Sequence, residues 1–260
     1  MEEVHLWRGS PEQRALRAQA GRAGQFAYFD RQLDRPAWRG RKVLDFGGNT
    51  GNLLSSPDCT IRHEDYYCLD VLRDALEVGR QRFPRAHWIH YDRYNCSFNP
   101  EGIAGLPVPD LGVRFDVILA YSVFTHTPRA EMNELVGQLF ARLAPGGALA
   151  FTFIDPHAKS RPETYEGNNL KWRLDKSREL NPAVDVDGLL EQSRGAEWCA
   201  LVDGTRLYVN DDGAWRDEAA TCLTYNVYHT ADFMRREFPR AVVRPPVGGE
   251  MQHCCILGKW

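Results

Sequence analysis

The most distinctive chemical feature of the sequence is a glycine-rich turn that follows an acidic residue. The stretch KVLDFGGNTGNLL, residues 42–54, carries Asp45 and then the turn residues Gly47, Gly48, Asn49 and Gly51. Glycine lets a backbone approach a ligand closely, and asparagine tolerates a positive φ better than most residues. A carboxylate here would repel a pyrophosphate but could accept hydrogen bonds from an amine or pair with a cation. The pattern therefore predicts a site for a small ligand that bears an amine or a positive charge.

The spacing of these glycines is not that of a dinucleotide-binding site. That fingerprint reads G-x-G-x-x-G, and neither Gly47 nor Gly48 begins it. A second acid, Asp70, ends the next apolar run 23 residues after Gly47. In related nucleotide-binding folds, a carboxylate at about this interval reaches the hydroxyls of a ribose. The two acids together favour a nucleoside ligand without a phosphate.

Short apolar runs and helix-like stretches alternate along the chain. Runs rich in β-branched and aromatic residues predict five strands, at residues 42–46, 66–71, 86–92, 115–123 and 148–154. Helical patterns lie between them, at residues 73–83 and 128–144, and the second pattern is followed by the terminator PGG. This alternation predicts an α/β fold with a doubly wound, mostly parallel sheet. The carboxyl ends of parallel strands share one edge of the sheet, which is where ligands bind in such folds.

The remaining segments divide the chain into a core, a lid and a cap. Residues 221–260 read as a strand, a helix and a closing hairpin, so we expect antiparallel strands at the sheet edge and seven strands in all. Residues 156–220 interrupt the alternation, are polar and contain Asp-Gly hairpin signals, which predicts an inserted substrate cap. Residues 1–40, with a helix expected from Ser10 to about Leu33, form a helical lid, and residues 41–155 and 221–260 form the ligand-binding core.

The pattern Asp45-x-Gly47-x-Asn49-x-Gly51 resembles motif I, E/D-x-G-x-G-x-G, of the class I S-adenosylmethionine-dependent methyltransferases, with Asn49 in place of the middle glycine. FDVILAYSVFTH resembles the fourth strand of that family, and LFARLAPGGALAFTF resembles its helix, turn and fifth strand. The C-terminal hairpin resembles its last two strands. The resemblance covers roughly residues 40–155 and 221–260. It implies a Rossmann-like enzyme that transfers a methyl group from S-adenosylmethionine to a small-molecule acceptor.

The resemblance also implies roles for particular residues around the cofactor. The acid and turn of motif I would face the amine-bearing end, Asp70 would bind the ribose, and Val71 would lie near the adenine. Asp92, which ends the third strand, occupies a place where the family often sets an acid or amide against the adenine amine. Tyr121, at the end of the fourth strand, could cover the cofactor and is also a candidate catalytic residue, although an aromatic residue there also suits plain core packing.

Two further residues are candidates for work on the acceptor. Methylation of a hydroxyl requires removal of a proton, and histidine is the natural base near neutral pH. His126 lies just past the fourth strand and Asp155 just past the fifth, so both could reach the pocket mouth and orient base and acceptor. His126 therefore slightly favours O-methylation over N- or C-methylation. In the alternative, His126 belongs to a helix start capped by Thr127, and Asp155 caps the turn that follows it.

Two other classes of function are compatible with the same pattern. One is an S-adenosylmethionine-binding enzyme that performs aminopropyl transfer, cyclisation or decarboxylation instead of methyl transfer. The other is a non-catalytic, methyltransferase-like partner subunit that keeps the fold. Intact Asp45 and Asp70 argue against the second alternative.

Composition excludes several partners from the prediction. The 260 residues carry a formal net charge of −3, from 32 basic and 35 acidic residues without long runs, so no nucleic-acid partner is expected. No metal is expected either, because the seven cysteines form no CxxC pair and the fourth strand does not end in an acid. The N-terminus has no apolar signal core, and no window is apolar enough to span a membrane, so we expect a cytoplasmic protein. The oligomeric state is left open.

Overall fold

The computed structural model describes residues 24–159, 165–210 and 225–258, which fold around a seven-stranded sheet. The strands of the described residues are β1 (Val43–Phe46), β2 (Tyr66–Asp70), β3 (His87–His90), β4 (Phe115–Ala120), β5 (Leu143–Phe153), β6 (Trp198–Val202), β7 (Arg206–Val209), β8 (Tyr225–His229), β9 (Val242–Arg244) and β10 (His253–Gly258). The α-helices are α1 (Gln25–Gln32), α2 (Arg73–Arg82), α3 (Arg129–Ala141), α4 (Asn169–Leu180), α5 (Val186–Gln192) and α6 (Ala231–Glu237).

The main sheet has the order β3-β2-β1-β4-β5-β10-β9. The first five strands are parallel, and β10 pairs antiparallel with both β5 and β9. The strand order reverses between β1 and β4, so the carboxyl ends of these two strands open a crevice. The predicted doubly wound α/β fold with a closing C-terminal hairpin is therefore confirmed.

The sheet separates two apolar clusters. Leu44 and Phe46 of β1 belong to one cluster, while Val43 belongs to the other, as the alternation of side chains along a strand requires. Helix α1 packs on the second cluster through Phe29, which is completely buried. Tyr28 of the same helix donates a hydrogen bond from its hydroxyl to the carbonyl of Gln252. This part of the expected lid is thus fixed to the core, and residues 1–23 lie outside the described residues.

Strands β4 and β5 differ in length from the sequence prediction. β4 ends at Ala120 rather than at residue 123, because Ser122 adopts a positive φ of 59° that a strand cannot contain. β5 begins at Leu143, so the PGG expected to precede it lies inside it. The pairing of β4 with β5 shifts register between Phe115 and Val117, which accommodates these irregular residues.

The residues after β5 form a second layer with its own small sheet. Helices α4 and α5 are followed by β6 and β7, which make a hairpin at Asp203 and Gly204, both with positive φ. The Asp-Gly signal for a hairpin is confirmed at this place. Strand β8, which the sequence analysis grouped with the core segment 221–260, pairs antiparallel with β6 instead of joining the main sheet. The small sheet therefore extends past residue 220, and β8 leads the chain back to the core.

None of the helices in the described part of the chain combines the length and the apolar character that a membrane crossing requires.

Candidate functional site

A cavity lies at the carboxyl ends of β1, β2 and β4, where the doubly wound fold places its crevice. It encloses about 840 Å³ of empty space, including open solvent at its mouth. The side chains and backbone that line it are Phe46, Gly47, Asn49, Leu69, Asp70, Val71, Leu72, Tyr91, Arg93, Tyr94, Asn95, Phe98, Tyr121, Ser122, Val123, His126, Thr127, Glu131 and Leu135. Small-molecule sites are typically concave and lined by apolar and aromatic side chains with a few polar groups, which is the character of this lining.

The glycine-rich turn forms one wall of this cavity. Gly47 has a φ of 76°, Asn49 a φ of 54° and Gly51 a φ of 82°, so the turn passes three times through the left-handed region. A Cβ on Gly47 would come within 2.5 Å of Cγ2 of Val123, and a Cβ on Gly51 within 2.8 Å of the Trp88 ring. The turn therefore requires glycine for both conformation and space at Gly47 and Gly51, and it accepts asparagine at Asn49.

Asp70 lies at the end of β2 and is held by the turn. Its Oδ2 accepts a hydrogen bond from the backbone N–H of Asn49 (2.8 Å), and its Oδ1 accepts one from the N–H of Leu72 (2.8 Å). The residue is buried, and burial raises the pKa of Asp70 above its ordinary value while these backbone N–H groups oppose the rise. A carboxylate has about four acceptor sites, more than the backbone N–H groups of Leu72, Asn49 and Val71 occupy, so it can still accept a hydrogen bond from a ligand.

Asp45 lies behind the turn and does not line the cavity. The Tyr66 hydroxyl donates a hydrogen bond to its Oδ2 (2.6 Å), and a Cβ on Gly48 would come within 2.6 Å of its carboxyl group. Burial raises the pKa of Asp45 to about 7, although the hydrogen bond from Tyr66 opposes this rise. The structure therefore places Asp45 and Gly48 in contact with each other beneath the turn, whereas Gly47, Asn49 and Asp70 face the cavity.

Val71 and Asp92, both expected near an adenine, have different positions. Val71 lines the cavity next to Asp70. Asp92 lies outside the lining, with a 41% exposed side chain that accepts a hydrogen bond from Asn99 (3.2 Å). The next residue, Arg93, turns inward and lines the cavity in its place.

Tyr121 lines the cavity at the end of β4. Its hydroxyl donates a hydrogen bond to Oε2 of Glu250 (3.0 Å), a residue of the loop before β10. The edges of Tyr28 and Phe29 from α1 pack against its ring, with centroids 5.6 and 6.0 Å away. Tyr121 thus borders the cavity and also joins α1 to the sheet, which combines the two interpretations that the sequence left open.

His126 lines the cavity beyond the irregular turn after β4. Its Nδ1 lies 2.9 Å from the backbone carbonyl oxygen of Tyr225 in β8, and the Tyr225 hydroxyl donates back to the carbonyl of His126. A carbonyl oxygen can only accept, so Nδ1 carries a proton, and in the neutral form of the ring the lone pair is on Nε2. The orientation of the His126 ring is therefore fixed by β8, a strand that the sequence analysis assigned to another part of the fold.

Asp155 does not meet His126 in the cavity. Its Oδ1 accepts hydrogen bonds from the N–H groups of His157 (2.9 Å) and Ala158 (3.2 Å), and its Oδ2 accepts one from Ala231 (2.9 Å). The carboxylate thus caps the turn after β5, as the alternative interpretation expected, and also binds the first residue of α6. Thr127 does not cap α3, since its hydroxyl donates to the carbonyl of Val123.

Several cavity residues carried no sequence signal. Arg93, Tyr94, Asn95 and Phe98 belong to an irregular segment after β3, and Glu131 lies in the first turn of α3. An acid in a first helical turn is ordinarily a favourable partner of the helix dipole, so Glu131 gave no indication of a site. Only the position of the segment 93–98 after a strand of the parallel sheet could have indicated that it borders a ligand.

The lining residues fit the nucleoside cofactor implied by motif I. A buried carboxylate that can still accept a hydrogen bond suits a ribose diol, and the left-handed turn exposes backbone beside it. Phe46, Tyr91 and Tyr121 provide apolar ring surface for a base. Among the described residues, no group of three or more His, Cys, Asp or Glu side chains is arranged to hold a metal ion.

Comparison with known proteins places this site in a defined context. Residues 44–149 match the family model described as a methyltransferase domain, and this range contains the turn, Asp70 and His126. The structure resembles that of the pyocyanin biosynthetic protein PhzM, with a TM-score of 0.54 and 16% identity, over 99% of this chain and 61% of that one. It also resembles the glycopeptide N-methyltransferase MtfA complexed with sinefungin, with a TM-score of 0.51 and 13% identity, over 91% and 93% of the two chains.

A third similar structure is that of a candidate O-methyltransferase from Nostoc punctiforme PCC 73102. Its TM-score is 0.52 at 13% identity, over 98% of this chain and 60% of that one. The present chain thus spans about three fifths of the length of this protein and of PhzM. At these identities the similarity establishes the fold, and the sheet order and the matched domain agree with it. The protein therefore has the class I methyltransferase fold, and residues 44–149 are the part that matches the methyltransferase-domain model.

Proposed function

We propose that this protein transfers a methyl group from S-adenosylmethionine to a small-molecule acceptor. The observation that carries the proposal is the single cavity that unites the left-handed turn, Asp70 and His126. The matched methyltransferase domain supports it, as does the fold shared with MtfA, a protein whose structure was obtained with sinefungin.

The cofactor half of the cavity would bind through Asp70 and the turn. The Asp70 carboxylate would accept a hydrogen bond from a ribose hydroxyl, and Val71 would contact the adenine. Asn49 would border the ligand, and its backbone N–H, which donates to Asp70, would hold that carboxylate in place. In this proposal, Asp45 supports the turn from behind through its contacts with Tyr66 and Gly48.

The acceptor half of the cavity would work through His126. When bound, S-adenosylmethionine supplies a methyl group activated by a sulfonium. Nε2 of His126 would take the proton from an acceptor hydroxyl. The Nδ1–H group would remain hydrogen-bonded to the carbonyl oxygen of Tyr225 and hold the ring in this orientation. This arrangement favours O-methylation, since a hydroxyl needs a base more than a neutral amine does. Tyr121 would close the site on the side of α1, and Asp155 would act only as a support for the cap and α6.

The first experiment measures binding of S-adenosylhomocysteine to the purified protein by isothermal titration calorimetry. We expect saturable one-to-one binding that Asp70→Ala weakens at least tenfold, since a buried ligand hydroxyl would lose its acceptor. Asp92→Ala is the matched control, because this acid follows the neighbouring strand but lies outside the cavity, and it should bind like the wild type. Absence of binding to the wild type would refute the proposal.

The second experiment identifies the reaction. The protein is incubated with methyl-labelled S-adenosylmethionine and a metabolite extract, and products are analysed by mass spectrometry. We expect a labelled product heavier than its acceptor by one CH₂. Aminopropyl transfer, cyclisation or decarboxylation would each change the masses differently, and any of these would replace methyl transfer as the reaction.

A further inference from the structure

The lining residues that come from the segment after β3, the turn after β4 and the start of α3 have a distinct character. We call this part of the cavity the acceptor end and define it by the lining residues Tyr94, Asn95, Phe98, His126 and Glu131. The ring of Phe98 lies edge-on to that of His126, with centroids 5.3 Å apart, and Asn95 donates its side-chain amide to the carbonyl of His126 (3.2 Å). Phe98 and Tyr94 therefore provide ring surface next to the candidate base.

The only arginine or lysine among the described lining residues is committed to protein partners. Arg93 is 5% exposed, and its Nε donates to Oε1 of Glu131 (2.7 Å). Its two terminal nitrogens donate to both oxygens of Glu134 (3.1 and 3.0 Å), and one also donates to the carbonyl of Leu106 (2.7 Å). These hydrogen bonds raise the pKa of Arg93, against the opposing effect of burial, so the guanidinium stays charged and occupied. Arg93 is therefore not available to pair with an anionic acceptor.

Negative charge exceeds positive charge around this arginine. Glu131 and Glu134 both pair with Arg93, and of the two glutamates only Glu131 lines the cavity. Burial is the main reason that the pKa of Tyr94 and of Tyr225 is raised, and the charge of Glu131 raises both further. The carboxylate of Glu131 thus acts electrostatically on two tyrosines, one of the acceptor end and one hydrogen-bonded to His126.

We propose that the acceptor is an aromatic compound that carries an ammonium group, and that Glu131 determines this specificity. The inference rests on the function proposed above and extends it to the class of acceptor. The ring packs on Phe98 and Tyr94, and the hydroxyl to be methylated points to Nε2 of His126. The ammonium pairs with Oε2 of Glu131, since Arg93 binds this carboxylate through Oε1. An acceptor that carries a carboxylate or a phosphate is disfavoured, since Glu131 repels it and Arg93 is already paired.

Three small phenols that share a two-carbon arm and differ in the charge at its end test the specificity. Tyramine carries an ammonium, 4-ethylphenol is uncharged, and 3-(4-hydroxyphenyl)propionate carries a carboxylate on the same two-carbon arm. Their dissociation constants are measured by ligand-observed NMR on the protein saturated with S-adenosylhomocysteine. We expect tyramine to bind about tenfold more tightly than 3-(4-hydroxyphenyl)propionate, the size of one charge-assisted hydrogen bond, with 4-ethylphenol between them.

Two matched variants locate the source of this preference. Glu131→Gln keeps the shape of the side chain and removes its charge, so the preference should fall to about threefold or less. Glu134→Gln removes the other carboxylate that pairs with Arg93 but lies outside the cavity lining, so the tenfold preference should persist. Affinity for S-adenosylhomocysteine, measured on both variants, verifies that each is folded.

The possible outcomes separate the two proposals. Equal or tighter binding of 3-(4-hydroxyphenyl)propionate, or a preference that survives in Glu131→Gln, would overturn the assignment of Glu131. Failure of all three phenols to bind at millimolar concentration would also overturn it, while S-adenosylhomocysteine binding and methyl transfer to other acceptors would leave the proposed function intact. Failure to bind S-adenosylhomocysteine would refute the proposed function itself.

Discussion

Asp45 gives the sharpest quantitative test of how the glycine-rich turn is held. Its carboxyl group is buried against Gly48 with one hydrogen bond from Tyr66, and burial raises its pKa from 3.8 to about 7. The folded protein therefore binds this proton more tightly than the unfolded chain does. Between pH 4 and 7 unfolding releases the proton, so Asp45 lowers the stability of the fold progressively as the pH rises, and the loss is complete above pH 7.

The magnitude follows from this shift in pKa. Each pKa unit corresponds to about 1.4 kcal/mol, and about two of the units fall between pH 5 and pH 8. Asp45→Asn keeps the shape and the acceptor for Tyr66 but cannot ionise. Relative to the wild type, the variant should therefore gain about 3 kcal/mol more in free energy of unfolding at pH 8 than at pH 5. For a chain of this size, that gain corresponds to a rise of roughly 8 °C in Tm.

The assay is urea unfolding of both proteins at the two pH values, followed by circular dichroism. Asp65→Asn is the control, because the pKa of Asp65 is shifted in the opposite direction. Burial would raise this pKa, but Lys42 and Arg62 lower it below its ordinary value. That carboxylate stabilises the fold equally at pH 5 and pH 8, so its variant should lose stability by the same amount at both. An Asp45→Asn difference that is the same at pH 5 and pH 8 would refute the buried, proton-binding carboxyl group.

Three further outcomes follow from the geometry. His126→Gln should lower kcat for a hydroxyl acceptor about 100-fold or more while S-adenosylhomocysteine binds normally, and unchanged kcat would remove His126 as the base. Gly47→Ala should abolish S-adenosylhomocysteine binding, because its φ of 76° and the contact with Val123 exclude a Cβ, and calorimetry with a normal affinity would contradict this. Phe29→Ala should destabilise the fold by about 3–5 kcal/mol, since the ring is fully buried between α1 and the sheet. A loss of less than 1 kcal/mol in urea unfolding would show that α1 is not docked on the core.

The cofactor half of the site could be predicted because its determinants are local in sequence. The alternation of apolar residues reveals the strands, and Gly47 and Asn49 follow β1 while Asp70 ends β2. Parallel strands bring their carboxyl ends together, so these residues are expected to be neighbours. Asp45 belongs to the same pattern, but sequence could not tell that the turn would cover it. The side chain of a strand residue points to one face or the other, and the register with Cys68 and Leu119 decides which neighbours enclose it.

The acceptor half could not be predicted, because its determinants are distant in sequence. His126 is fixed by Tyr225, 99 residues away, and Arg93 is fixed by Glu131 and Glu134 across the gap between β3 and α3. Such pairs give no periodic signal, and each partner looks ordinary in its own segment. Asp155 is predicted as a site residue because it lies just past a strand. In the structure its carboxylate instead accepts hydrogen bonds from the N–H groups of His157 and Ala231.

The glycine-rich turn and the acceptor end are supported by different elements of the fold. The turn and Asp70 depend on the backbone of the main sheet, where substitutions that change φ or volume destabilise the core. The acceptor end depends on an irregular segment, on the first turn of α3 and on β8, which pairs with the small sheet rather than with the main one. Substitutions there alter ring packing and charge at positions outside the turn and outside Asp70. Under the proposal made above, acceptor specificity is set by residues such as Glu131 and Phe98, which belong neither to the turn nor to the main sheet.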